Sequence, residues 1–252
     1  MGITYRMARR AVRIRNFGLG PGQRIGDKYQ VEAFLGGGLQ GEVYRVLEKQ
    51  TRVRRAAKLL YPQENERGRT ARNYAQKLDR LRDCPIVIQY HNVEKVGLQG
   101  VEVTCLLSEY VNGILLTDFI AKHRGASLPA YKALHLLYPL VCGLEQIHKR
   151  GEYHGDIHSS NILVRPRGIF FDIKLIDFYN LGRSTAQHRR EDIVDIVRLL
   201  YEMVGDRKRY ARQPDAIKAI CRGMRRDLIL KSFPTATHLR RELETYSELS
   251  VV

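Results

Sequence analysis

Apolar and polar residues alternate in Tyr29-Gln-Val31-Glu-Ala-Phe34 and again in Val43-Tyr-Arg-Val46, and a period of two predicts a pair of strands. The glycine-rich stretch between them makes the pair a hairpin. A short apolar run, Ala56-Ala57-Lys58-Leu-Leu, predicts a further strand. The period then changes to that of helices. Residues 65–82 read as a helix ended by Asp83-Cys-Pro85, since the residue before proline is held out of the helical region. Residues 128–150 read as a long amphipathic helix ending at Gly151, with Leu134, Leu137, Val141, Leu144 and Ile147 at helical spacing and therefore expected in the core. Residues 192–205, 214–223 and 235–246 read as helices that complete the chain.

At 252 residues, 44% of them hydrophobic, the chain is long enough for one globular unit or two small lobes. No apolar run approaches the length of a membrane span. Cys84, Cys105, Cys142 and Cys221 stand far apart without a C-x-x-C pair. That spacing disfavours zinc and a disulfide framework and predicts reduced, buried thiols in a cytoplasmic protein. The 43 Lys and Arg against 27 Asp and Glu give a net charge of +16, which favours acidic partners: nucleic acid, an anionic membrane, an acidic protein or ATP itself. Aromatic and basic residues are not interleaved as in a single-strand binder. Residues 1–25 hold six arginines and no acid and then pass through Gly18-Leu-Gly20-Pro21-Gly22, so they read as a basic extension, mobile or packed on a sheet edge, ahead of a domain over 26–252.

The candidate chemistry lies in two stretches. His154-Gly155-Asp156-Ile-His158-Ser-Ser-Asn161, followed by Lys174-Leu-Ile-Asp177-Phe178, places two acids and an amide where phosphoryl transfer needs them. Upstream, Gly36-Gly37-Gly38-Leu39-Gln40-Gly41-Glu42-Val43 fits G-x-G-x-x-G-x-V. Glycines there let a backbone close over a triphosphate and aim its N–H groups at the oxygens. A dinucleotide-binding turn uses the same glycines, but the flanking strands suit a hairpin and not a turn into a helix.

With Lys58 after Arg55-Ala56-Ala57 and the hinge-like Leu106-Leu-Ser108-Glu109-Tyr-Val111, these motifs stand in the order of the protein kinase superfamily, which the chain resembles from about residue 26 onward. The resemblance implies an α+β bilobal fold, with a β-rich N-lobe over about 26–110 and a helical C-lobe over about 111–252 around a cleft. It implies ATP and Mg2+ as cofactors and transfer of phosphate to Ser or Thr of an unidentified protein. Asp156 would accept the hydroxyl proton, Lys58 would hold the phosphates, and Asn161 and Asp177 would bind magnesium. Gly36, Gly37, Gly38, Leu39, Gln40, Gly41, Val43, Ala56, Lys58, Glu109, Val111 and Leu163 would line the nucleotide site. Asp192 would hold the backbone of the catalytic loop.

The chain also departs from that pattern. Asp192 stands only 15 positions after Asp177, too few for a full activation segment, and Phe233 stands where an Arg paired with that segment is usual. Gly155 replaces the Arg that receives an activating phosphate, and Tyr179 replaces the glycine after Asp-Phe. The acid that should pair with Lys58 is out of register: counting lands near Tyr74, Ala75 or Gln76, with Glu64 three turns away. Two other readings stay open: a kinase for a small molecule or nucleic acid, and a pseudokinase that binds a partner without catalysis.

Overall fold

A computed structural model describes residues 13–168, 170–178 and 182–246, so Tyr179 and the first part of the basic extension lie outside the described residues. The chain divides into two compact units, one of the described residues of Met1–Ala75 with Tyr90–Tyr110, the other of Gln76–Gln89 with those of Val111–Val252.

The first unit is an antiparallel sheet of six strands: β1 (Arg24–Ile25), β2 (Tyr29–Gly38), β3 (Gly41–Glu48), β4 (Arg54–Leu60), β5 (Tyr90–Leu98) and β6 (Val101–Glu109), in the order β1-β2-β3-β4-β6-β5. The hairpin read from alternation is β2–β3, closing at Gly38↔Gly41. Along β4 the side chains alternate between two apolar layers. Ala57 and Leu59 join Tyr44, Val46 and Leu107 in one, while Leu60 packs with Leu106 and Ala71 on the other face. Residues 13–20 have no regular structure, yet Ile14 and Phe17 are buried in the first layer.

Helix α1 (Arg69–Arg80) starts later than expected, after two 3-10 turns at Pro62–Glu64 and Glu66–Gly68. The side chain of Asn65 explains the delay: Oδ1 accepts from Ala71 N at 3.0 Å and Nδ2 donates to Thr104 Oγ1 at 2.8 Å, so Asn65 bonds outside a helix.

The second unit holds β7 (Ile114–Leu115), α2 (Leu116–Ala121), α3 (Ala130–Lys149), β8 (Ile162–Arg167), β9 (Phe170–Leu175), α4 (Ala186–Met203), α5 (Asp206–Tyr210), α6 (Asp215–Cys221), α7 (Arg226–Ser232) and α8 (Ala236–Glu244). The three strands pair as β7-β8-β9. All five apolar residues predicted on α3 are buried. Helix α4 begins six residues before the expected 192, because Thr185 caps it: its Oγ1 accepts from His188 N at 3.2 Å. Helices α2, α5 and α7 were not expected, being short segments of one or two turns with little periodicity to read. Phe233 is buried in this core. The four cysteines are free thiols, three buried and Cys142 half-buried. No helix among the described residues is long and apolar enough to cross a membrane.

Candidate active site

On the first unit the strand register gathers the predicted nucleotide residues. Val43 pairs with Lys58, Lys58 with Leu106, and Ala56 with Ser108. Alternation therefore places Val43, Ala56, Lys58 and Ser108 on one face of the sheet. Gly36, Gly37 and Gly38 end β2, Leu39 and Gln40 form the turn with Leu39 fully in solvent, and Gly41 opens β3. A side chain at Gly41 would collide with the Leu59 carbonyl, so glycine is required by close approach of two backbones. The Lys58 ammonium lies 5.4 Å from the centroid of the Tyr74 ring. An aromatic face on α1 thus occupies one of the positions where the count placed the missing acid. Glu64 sits in a 3-10 turn ahead of the helix, and its carbonyl accepts from Thr70 Oγ1. Glu109 ends β6 on the first unit, and Val111, two residues on, belongs to the second.

On the second unit a single buried carboxylate organises the loop. Asp192, 0% exposed, accepts from His154 N and Gly155 N, both at 2.8 Å, and from His148 Nε2 at 3.0 Å. Gly155 holds φ +88°, a left-handed conformation that strains any residue with a Cβ. The His154 ring is wholly buried beside Phe178, at 4.3 Å between ring centroids. Its Nδ1 accepts from Asp156 N at 3.2 Å, which leaves Nε2 to donate to Ile176 O at 3.1 Å. Burial pushes its pKa down to about 4 against the pull of Asp192, so the ring is neutral at pH 7.

This scaffold leaves the Asp156 side chain 52% exposed while Asn161 restrains it. Asn161 Nδ2 donates to Asp156 O at 2.9 Å and to Asp156 Oδ2 at 3.1 Å. Ile176 N donates to Asn161 O at 3.0 Å, which ties the loop to the stretch that carries Asp177. Asp177 adopts φ +55°, uncommon for a non-glycine residue. His158 Nδ1 accepts from Ser160 N at 3.2 Å, and its Nε2 lies 3.5 Å from Asp156 Oδ2. Leu163 is half-buried on β8, opposite Leu115.

The donor set suits magnesium, a hard cation that takes oxygen. With Nδ2 of Asn161 engaged by Asp156, Oδ1 is the amide atom that carries lone pairs, and Asp177 adds a carboxylate.

Two groups at this loop were missed in the sequence. Lys77 is 2% exposed, with its ammonium 3.6 Å from the centroid of Tyr153 and 5.8 Å from that of Phe178. Burial lowers its pKa to about 8. Its spacing from Tyr74 on α1 and from Leu81 just beyond it was the available signal. Asp195, one turn beyond Asp192, has its pKa pushed up to about 6 by burial, opposed by Arg198 and reinforced by Asp192, Glu191 and Asp156.

Residues 29–211 match the family described as "Protein kinase domain". The chain is 27% identical over 169 residues to the serine/threonine-protein kinase PrkC of Bacillus subtilis, an alignment covering 66% of this chain and 24% of that protein. It is 29% identical over 160 residues to the serine/threonine-protein kinase PksC of Streptomyces coelicolor, covering 61% and 28%. With mouse Myosin-IIIa the identity is 27% over 168 residues, 65% of this chain and 10% of that one. Among solved structures, a double mutant of the Mycobacterium tuberculosis PknI kinase domain superposes with a TM-score of 0.65 at 20% identity, covering 90% of this chain and 97% of that one. The chain thus spans a quarter or less of the length of PrkC and Myosin-IIIa. With well over half of its length matched and the sheet and helical units in the family's order, the chain belongs to the protein kinase family.

Proposed function

We propose that the chain is an ATP-dependent phosphotransferase acting on Ser or Thr of a protein. The observation that supports this best is the Asp156 carboxylate, held in solvent by a loop whose backbone is bonded to buried Asp192 and whose side chain is steadied by Asn161. A carboxylate so placed accepts the proton of an acceptor hydroxyl as its oxygen attacks the γ-phosphorus of ATP. Asn161 Oδ1 and the Asp177 carboxylate hold magnesium, which when bound neutralises charge on the phosphate oxygens. On the first unit Lys58 pairs with the phosphates, the backbone of residues 36–41 covers them, Val43 and Ala56 face the adenine, and Glu109 and Val111 offer it backbone groups. Leu163 supplies an apolar contact from β8. The net charge of +16 favours an acidic protein as acceptor.

The test is incorporation of label from γ-labelled ATP into protein. Asp156→Ala should lower kcat by about 10²- to 10⁴-fold with MgATP affinity little changed, whereas Asp177→Ala should abolish magnesium-dependent ATP binding. Undiminished transfer by Asp156→Ala removes that residue from the chemistry, and a normal magnesium dependence in Asp177→Ala removes the other.

A further inference from the structure

Glu42, one residue beyond the last glycine of the hairpin, is a buried carboxylate that the proposed chemistry does not use. Among the described residues no cation pairs with it. Its partners are neutral donors: Phe17 N at 3.1 and 3.2 Å to its two oxygens, Tyr61 Oη at 3.1 Å, and Tyr44 Oη. A carboxylate removed from water without a cation stays buried only while its hydrogen bonds are complete. One of these donors belongs to the irregular segment 13–20, which sequence composition assigned to a basic extension.

That segment is held at several further points. Gln63 Nε2 donates to Ile14 O at 2.6 Å, Gln99 Nε2 to Phe17 O at 3.2 Å, and Leu19 N to Tyr44 Oη at 3.2 Å. The Phe17 ring stacks on Tyr61, centroids 5.3 Å apart. Tyr61 in turn reaches the glycine hairpin, since its N–H donates to Gln40 O at 2.9 Å. Gly41 lies against the Leu59 carbonyl, and Glu42 pairs across the hairpin with Gly37. The turn end of the hairpin is therefore gripped by β4, by Tyr61 and, through Glu42, by residues 13–20. Burial first, and then the bond to Glu42, push the Tyr44 pKa up to about 12, so this hydroxyl remains a donor at neutral pH.

We propose that residues 13–20 are a positioning element of the nucleotide site, acting through Glu42 to fix the height and register of the hairpin at residues 36–41. The link to nucleotide rests on the function proposed above; the link to the hairpin does not. Glu42 touches no phosphate in this account and is a positioning residue.

The experiment uses the full chain and two readouts, MgATP affinity by calorimetry and hydrogen exchange of residues 36–43 without nucleotide. In Glu42→Gln, which turns one acceptor oxygen into a donor facing donors, MgATP affinity should fall about tenfold and exchange at 36–43 should quicken about tenfold, with exchange in β6 unchanged. Tyr61→Phe keeps the ring stack and the carboxylate and should show both changes at about threefold. If Glu42→Gln does not fold, Tyr61→Phe carries the test alone. Unaltered exchange at 36–43 in a folded variant overturns the proposal. Faster exchange with unaltered affinity limits the segment to a structural role and equally overturns it. Failure of the wild-type chain to bind MgATP sinks the nucleotide reading instead, while exchange still tests the grip on the hairpin.

Discussion

Asp177 and Gly155 both stand in left-handed backbone, at φ +55° and +88°, but for different reasons. Glycine accepts that conformation without strain, whereas for Asp177 it costs about 1–3 kcal/mol and persists only because the surroundings impose it. Gly155 therefore has a positive reason to replace the usual arginine: the backbone that delivers its N–H to Asp192 disfavours a side chain. Asp195 makes a separate prediction. Its folded pKa, about 6, lies above the ordinary 3.8, so its favourable contribution is present below 3.8 and is lost as pH rises through 6. Asp195→Asn should gain stability relative to wild type across that window, reaching about 3 kcal/mol at pH 7. Denaturant unfolding at several pH values checks this, and a difference independent of pH refutes it. His154 works in the opposite sense: its contribution is present above 6.5 and lost as pH falls toward about 4. The two groups thus offset each other in wild type near pH 5, and the slope emerges only in the variant.

Helix α4 joins the site to the core. One face is buried, Asp192 reaches the catalytic loop, and Thr185 closes the first turn. Removing the cap by Thr185→Ala should cost about 1 kcal/mol of stability. Thr185→Asn retains a capping oxygen and should stay within a few tenths of a kcal/mol of wild type, as read by thermal unfolding. Equal losses in the two variants would show that the hydroxyl does more than cap. Ser184 Oγ accepts from Arg189 Nη1 at 3.0 Å, so both hydroxyls of this stretch already have structural partners. The late start of α1 belongs to this scale too, since Asn65 bonds to Thr104 on a distant strand.

For the whole molecule the short path from Phe178 to α4 bears on regulation. A loop with no arginine at 155 and few residues to order has no evident switch for a phosphate to throw. The chain should be active as synthesised. Phosphatase-treated protein should retain full activity, and Ser184→Ala with Thr185→Asn should leave the rate within about twofold, well under 1 kcal/mol in the barrier. A large fall after either treatment would reveal a phosphate-dependent switch.

The hairpin and α3 were legible in the sequence because each depends on local periodicity or on glycines within one turn, whereas the fold class followed from the family resemblance carried by the order of the motifs. Asp192 stood out only through the family resemblance, which gave it a task; the helix expected to open at it begins at Ala186. What the sequence could not decide is which residues from distant stretches share one environment. Lys77, which nothing in the sequence singled out, gained its surroundings when packing laid it over Tyr153. Phe17 lay in a basic, breaker-rich stretch until its N–H met Glu42, 25 residues away. Tyr74 took a place beside Lys58 because α1 packs on the sheet around Leu60 and Leu106. Burial arises from contacts between segments remote in the chain, so tertiary structure sets the lowered pKa values of Lys77 and His154 and the raised one of Asp195.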